Sequence, residues 1–171
     1  ESANPEFLAT DILAQAEHDP NASCFLVTDS KDLAIKTDEF VKQLTEIAPR
    51  REIIEESLSK SGKIIITNNF EEAIHVTNEY APEHLIISTK DDDETLSHVN
   101  NAGSIFLGSY SPVAAGDYGS GTNHVLPTGG GAKMYSGLST EAFIKKPTVQ
   151  RITKDGLKEL SKTSVPIAEY E

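Results

Sequence analysis

Three groups of residues combine types and spacings that could do chemistry. Gln15 and His18 stand three apart in an amphipathic segment, so on a helix both side chains would lie on one face and could converge on a metal ion. Imidazole is a common zinc ligand and an amide oxygen an unusual one. From spacing alone the plainer reading is a polar helix face near a C-terminus, where the dipole would favour a protonated His18. The second group is Ala81-Pro82-Glu83-His84-Leu85, a carboxylate beside an imidazole where a strand begins. Pro82 is expected to hold Ala81 extended, and the pair could supply two acid/base groups with different tasks. On composition alone a solvated strand end is the plainer reading. The third group runs from Gly116-Asp117-Tyr118-Gly119 to Ser120-Gly121-Thr122-Asn123-His124. Its glycines let the backbone turn tightly and approach a ligand, with Asp117 as a candidate metal ligand and His124 as a hydrogen-bonding group. A flexible surface loop is the plainer alternative. Neither this stretch nor Gly129-Gly130-Gly131 has the Gly-x-Gly-x-x-Gly spacing between strand and helix that a dinucleotide-phosphate loop requires.

The other polar groups have structural explanations. His75 and His98 fall on the polar faces of helical segments. Asp91-Asp92-Asp93-Glu94 opens a helix, where capping and the helix dipole account for the acidity without a cation. Cys24 lies in the apolar run Cys24-Phe25-Leu26-Val27, which predicts a buried, inert thiol.

Positioning these groups requires a scaffold, and the hydrophobic pattern outlines one. Residues 5–18 carry apolar residues at helical spacing, with Asn4 as N-cap and Pro5 at the first helical position. Residues 23–28 are a short, continuously apolar run suited to a strand buried on both faces. A helix follows from Asp29-Ser30 to about Ala48, then another over 50–61 closed by Gly62. Strands are predicted at 63–67, 85–88 and 104–107, with helices at 69–80 and 91–101 between them. Such alternation indicates an α/β fold with a mostly parallel sheet flanked by helices. Ligands in such sheets usually bind at the carboxyl ends of the strands. Beyond residue 108 the pattern fails: nine of the 11 glycines lie between Gly103 and Gly137, predicting a long functional loop. Residues 140–153 suggest an extended segment, and 155–170 a helix interrupted near Pro166. The chain is thus read as an α/β portion over 1–138 and a small appendage over 139–171. The appendage has too few apolar groups for its own core and is expected to pack on a partner subunit.

Composition narrows the function classes. The 171 residues hold 27 Asp and Glu against 15 Lys and Arg, a formal net charge of -12. That argues against nucleic acid, since binding phosphate needs a cationic surface. A single cysteine leaves no intrachain disulfide and fits a reducing compartment. No apolar run reaches the ~20 residues that span a bilayer, and no signal peptide opens the chain, so a cytoplasmic, soluble protein without a membrane partner is expected.

Four stretches, in order and spacing, resemble the histidinol dehydrogenase family: Ile12-Leu13-Ala14-Gln15-Ala16-Glu17-His18-Asp19-Pro20, Tyr80-Ala81-Pro82-Glu83-His84-Leu85, Ala102-Gly103-Ser104-Ile105-Phe106-Leu107-Gly108, and Gly116-Asp117-Tyr118 continued by Ser120-Gly121-Thr122-Asn123-His124-Val125-Leu126-Pro127-Thr128. The resemblance implies an incomplete Rossmann-like domain of a homodimeric enzyme that oxidises L-histidinol to L-histidine through an aldehyde, using zinc and two NAD. It implies Gln15, His18 and Asp117 as zinc ligands that also meet the substrate, Glu83 and His84 as the acid/base pair, with His84 contacting substrate, and His124 as a substrate contact. Glu171 matches a substrate-contacting glutamate contributed across the dimer. The NAD-contacting residues are expected mostly outside this chain.

The chain also departs from the family pattern. A fourth zinc ligand, a histidine, would fall five residues beyond Glu171. A segment completing the domain, a second α/β domain with much of the NAD site and a substrate-contacting serine would lie ahead of Glu1. Val113 follows Ser111-Pro112 where the family pattern has glutamate. These departures predict a fragment inactive by itself. Two other classes compete: a non-catalytic binding domain on the same scaffold, and a zinc hydrolase using Glu83 as base.

Overall fold

A computed structural model describes residues 3–170. The elements run in the order α1 (Pro5–Ala16), β1 (Phe25–Thr28), α2 (Lys31–Ile47), α3 (Arg51–Ser61), β2 (Lys63–Ile66), α4 (Phe70–Tyr80), β3 (His84–Ile87), α5 (Asp92–Ser97), β4 (Ser104–Leu107), α6 (Val113–Tyr118), two 3-10 turns (Gly131–Lys133 and Thr140–Phe143) and α7 (Lys154–Tyr170). Helices alternate with parallel strands as the hydrophobic pattern requires.

The helix starts are set by side-chain acceptors that occupy otherwise unpaired first-turn N–H groups. Asn4 Oδ1 accepts from Glu6 N at 2.9 Å and Phe7 N at 3.4 Å, with Pro5 at the first helical position. Ser30 caps α2 through Leu33 N, and Asp91 caps α5 through Glu94 N. At α4 the capping is reciprocal: Asn69 accepts from Glu72 N at 2.8 Å, while Glu72 accepts from Asn68 N at 2.7 Å. Gly62 ends α3 with an ordinary extended backbone (φ -73°), not a left-handed turn. Its role is steric, because a Cβ there would stand 2.8 Å from Leu58 O.

The strands form two parallel pairs. β1 pairs with β2 from Phe25↔Lys63 to Thr28↔Ile66, and β3 pairs with β4 from His84↔Ser104 to Ile87↔Leu107. No strand pairing joins the two pairs among the described residues. The expectation that residues 23–28 form a strand buried on both faces needs correction: of β1 only Thr28 is buried, and Phe25, Leu26 and Val27 are partly so. The best-packed region lies among α1, α2 and α3, where Leu13, Ala16, Cys24 and Ile54 form the core against Ile12, Val41, Leu44 and Leu58.

The chain divides into two units, Glu1–Ser139 and Thr140–Glu171. In the second, none of the described residues is buried. The interruption expected near Pro166 does not occur; α7 runs through it. A proline removes one N–H from the helical ladder and crowds the preceding turn, and here the helix tolerates both. The expected extended segment at 140–153 is a 3-10 turn followed by irregular chain.

Candidate active site

Glu83 and His84 enter the fold through a strained backbone. Ala81, the last cap of α4, adopts φ 51°, ψ 66°, a left-handed conformation that is uncommon for a residue with a Cβ. The extended conformation expected ahead of Pro82 is thus overturned. Ala81 is almost fully buried and its N–H donates to Thr77 O at 3.0 Å, so helix closure and packing together outweigh the local preference. The reversal directs Pro82-Glu83-His84 straight into β3. Strain of this kind collects where a side chain must be aimed.

β3 and β4 lock the pair in place. Gly103 N donates to Pro82 O at 2.9 Å and Ser104 N to Glu83 O at 2.8 Å. The His84 ring lies 6.1 Å from that of Phe106, centroid to centroid, on the same sheet face because His84 pairs with Ser104 and Ile86 with Phe106. Gly116, which is buried, packs on that phenylalanine so closely that a Cβ would come within 2.6 Å of Phe106 Cε1. Asp117 follows Gly116 in α6, a helix that the glycine-rich composition concealed. Phe106 is therefore a neighbour shared by His84 and by the helix carrying Asp117. Thr122 reinforces this arrangement by donating to Gly116 O at 3.1 Å.

Gln15, Glu83 and His84 line one cavity of about 1660 Å³. Gln15 lies in the last turn of α1, half-buried. His18 lies past that helix, beyond its cap Glu17, and is exposed; its N–H reaches Gln15 O at 3.3 Å. Gln15 thus lies within the end of the helix and His18 in the turn that follows it. Asp117 is half-buried and His124 exposed, and neither they nor His18 line the cavity. Glu171 falls outside the described residues. Glu83 and His84 stand at the amino end of β3 and Gln15 at the end of α1 that leads into β1, opposite to the carboxyl-end placement usual for such sheets.

As a donor set for zinc, the residues supply one imidazole, one carboxylate and one amide oxygen, which suits the nitrogen and oxygen chemistry of that ion. Among the described residues no three His, Cys, Asp or Glu side chains gather as a metal cage; the expected set holds only two such residues, with Gln15 as the third donor. His75 and His98 are exposed, His98 standing 3.3 Å from Glu94 and edge-on to Phe70, in keeping with surface roles. Cys24 is buried, and that burial pushes its thiol up to about 11, with a Ser57 hydrogen bond pulling the other way. Asp11 was missed in the sequence. One turn before Gln15, it lines the same cavity, and burial raises its carboxyl above the usual range. Its i, i+4 relation to Gln15 was the available signal.

The family model described as histidinol dehydrogenase matches residues 1–171. The histidinol dehydrogenase of Methanothermobacter thermautotrophicus is 61% identical over 171 residues, covering 100% of this chain and 40% of that protein. That of Methanocaldococcus jannaschii is 49% identical over 100% of this chain and 39% of its own length. A crystal structure of histidinol dehydrogenase from Elizabethkingia anophelis superposes with a TM-score of 0.92 at 40% identity, covering 99% of this chain and 39% of that one. The chain spans about two fifths of the length of these relatives.

Proposed function

The chain belongs to the histidinol dehydrogenase family, and from that premise we propose that it is the part of a longer enzyme that carries the acid/base pair for oxidising L-histidinol to L-histidine. The observation that carries this reading is the lining of one cavity by Gln15, Glu83 and His84. Gln15, His18 and Asp117 would hold zinc, together with a ligand outside this chain, and His124 and Glu171 would contact substrate. Zinc, when bound, supplies a Lewis acid that fixes the substrate, and NAD supplies the hydride acceptor.

The chain's own residues manage protons. Removing hydride from an alcohol carbon requires loss of the hydroxyl proton, and neutral His84 can accept it. The resulting aldehyde gains water across its carbonyl, with Glu83 as the base that takes the water's proton. His84 takes a proton again as the second hydride departs, leaving the carboxylate of histidine. Each oxidation thus sends two electrons with one hydrogen to NAD. The first releases one proton, taken by His84. The second releases two, one taken by Glu83 from water and one by His84, which must have shed its earlier proton to solvent. Phe106 beside the His84 ring, with the Ala81 reversal ahead of the pair, restrains where His84 can point.

The homodimer is proposed from the second unit. In α7, Leu157, Leu160 and Ile167 are exposed at spacings of three and seven, which places them on one helical stripe. A stripe with nothing buried beneath it is suited to a partner subunit. A cytoplasmic location agrees with the lone buried cysteine, and none of the described helices is long and apolar enough to cross a membrane.

The test is NADH formation from histidinol by the full-length protein, expected at two per substrate, alongside the 171-residue chain, expected to give none. Full-length protein that binds histidinol without reducing NAD would overturn the enzyme reading in favour of a binding domain.

A further inference from the structure

Pro82 leaves a gap in the hydrogen bonding that ends α4. In a helix the carbonyl of Asn78 is served by the N–H four residues on, but that residue is Pro82, which has none. Asn101, just ahead of β4, fills the gap: its Nδ2 donates to Asn78 O at 3.0 Å. The Asn78 side chain answers in the other direction. Its Oδ1 accepts from Asn100 N at 2.7 Å and Asn101 N at 3.2 Å, and its Nδ2 donates to His98 O at 3.0 Å. Only one orientation of the Asn78 amide satisfies both sides, since two N–H groups require its oxygen and a carbonyl requires its nitrogen.

These bonds join two segments that each lead within a few residues to Glu83. On one side, Asn78 is followed by the left-handed Ala81 and then by Pro82 and Glu83. On the other, Asn101 is followed by Gly103 and Ser104, whose N–H groups donate to Pro82 O and Glu83 O at 2.9 and 2.8 Å. The two segments are thus pinned twice, once through the asparagine side chains and once at the backbone of Glu83. Half-buried polar groups need partners in any fold, but the placement of these has a consequence for the site. His84 has further restraint from its pairing with Ser104 and from the Phe106 ring beside it. Glu83 precedes β3, so loosening the asparagines frees Glu83 before His84.

We propose that Asn78, together with Asn101, is a positioning residue for Glu83. The two amides hold the entry of β4 against the carbonyl of the base, and so fix where its carboxylate stands when it takes a proton from water. The proposal rests on the assignment of Glu83 made above. Neither asparagine lines the cavity; both act through the backbone of Glu83.

Full-length Asn78→Ala and Asn101→Ala variants test this with two readouts. Amide hydrogen exchange without substrate reads the clamp alone. In Asn78→Ala, Ser104 is expected to exchange at least ~10-fold faster than in the unsubstituted protein through local opening. Gly108, which donates to Ile87 O at the far end of the same strand pair, stays within a few-fold. Single-turnover NADH formation reads the consequence. The second oxidation, in which Glu83 is the base, is expected to slow by ~10–100-fold. The first stays within about five-fold, and KM for histidinol within about three-fold. Asn101→Ala removes the bond to Asn78 O and keeps those made by the Asn78 side chain. It is expected to show the same pattern more weakly, and it decides the matter if Asn78→Ala does not fold. Unchanged Ser104 exchange overturns the clamp, and equal slowing of both oxidations overturns its action on Glu83. Absence of NADH from the unsubstituted full-length protein removes the enzyme reading instead, while exchange still decides whether Asn78 holds the backbone of Glu83.

Discussion

Gly103 lies so close to Glu83 that a Cβ added to it would stand 2.6 Å from the Glu83 carbonyl oxygen. The contact joins the entry of β4 to the residue assigned as base, and Ser104 N donates to the same oxygen. Gly103→Ala must push Glu83 aside or break that hydrogen bond. Displacement by about 1 Å can cost ~100-fold in rate, so in the full-length enzyme kcat is expected to fall by about that factor while the far-ultraviolet spectrum is retained. An unchanged kcat would remove Gly103 from the positioning of the pair.

Glu83 and His84 have separable tasks in the proposed reaction. His84→Asn is expected to lower both oxidations by about 10²–10⁴. Glu83→Gln should slow the second much more than the first, so that one NADH forms per histidinol before the aldehyde accumulates. Single-turnover measurement of NADH per substrate distinguishes the two variants. Equal loss in both steps for Glu83→Gln would contradict the division of labour.

Burial of Asp11 raises its carboxyl above the usual range. A raised folded-state value means that Asp11 favours the fold in acid, below its unfolded value, and that this contribution is lost as pH rises through the raised value. Asp11→Asn is therefore expected to raise the thermal midpoint at neutral pH, with the gain vanishing in acid. A midpoint difference independent of pH would show that desolvation of the carboxylate is not its cause.

The core among α1, α2 and α3 makes a separate expectation. Ile54 is 1% exposed, and Ile54→Ala should cost about 2–5 kcal/mol through lost burial and the cavity left behind, read by denaturant unfolding. Cys24, buried and with its thiol pushed up to about 11, should resist alkylation in the folded chain and react on unfolding. Rapid labelling of the native protein at neutral pH would contradict the burial.

Element types and order were legible along the chain because they depend on local chemistry. Asn4, Ser30 and Asp91 cap the helices that follow them, and continuous runs such as Lys63-Ile64-Ile65-Ile66 form strands whatever their neighbours. The proposed acid/base pair stood out because Glu83 and His84 are adjacent in a specific motif. Tertiary structure alone settled what depends on atoms distant in the chain. Ala81 is left-handed because closure of α4 and burial outweigh the preference imposed by Pro82. The helix over Val113–Tyr118 was hidden because its glycine answers to Phe106, ten residues away, and not to helix propensity. The split into two strand pairs, with the cavity between them, depends on which edges meet in space, and no periodicity within a single strand encodes its neighbours.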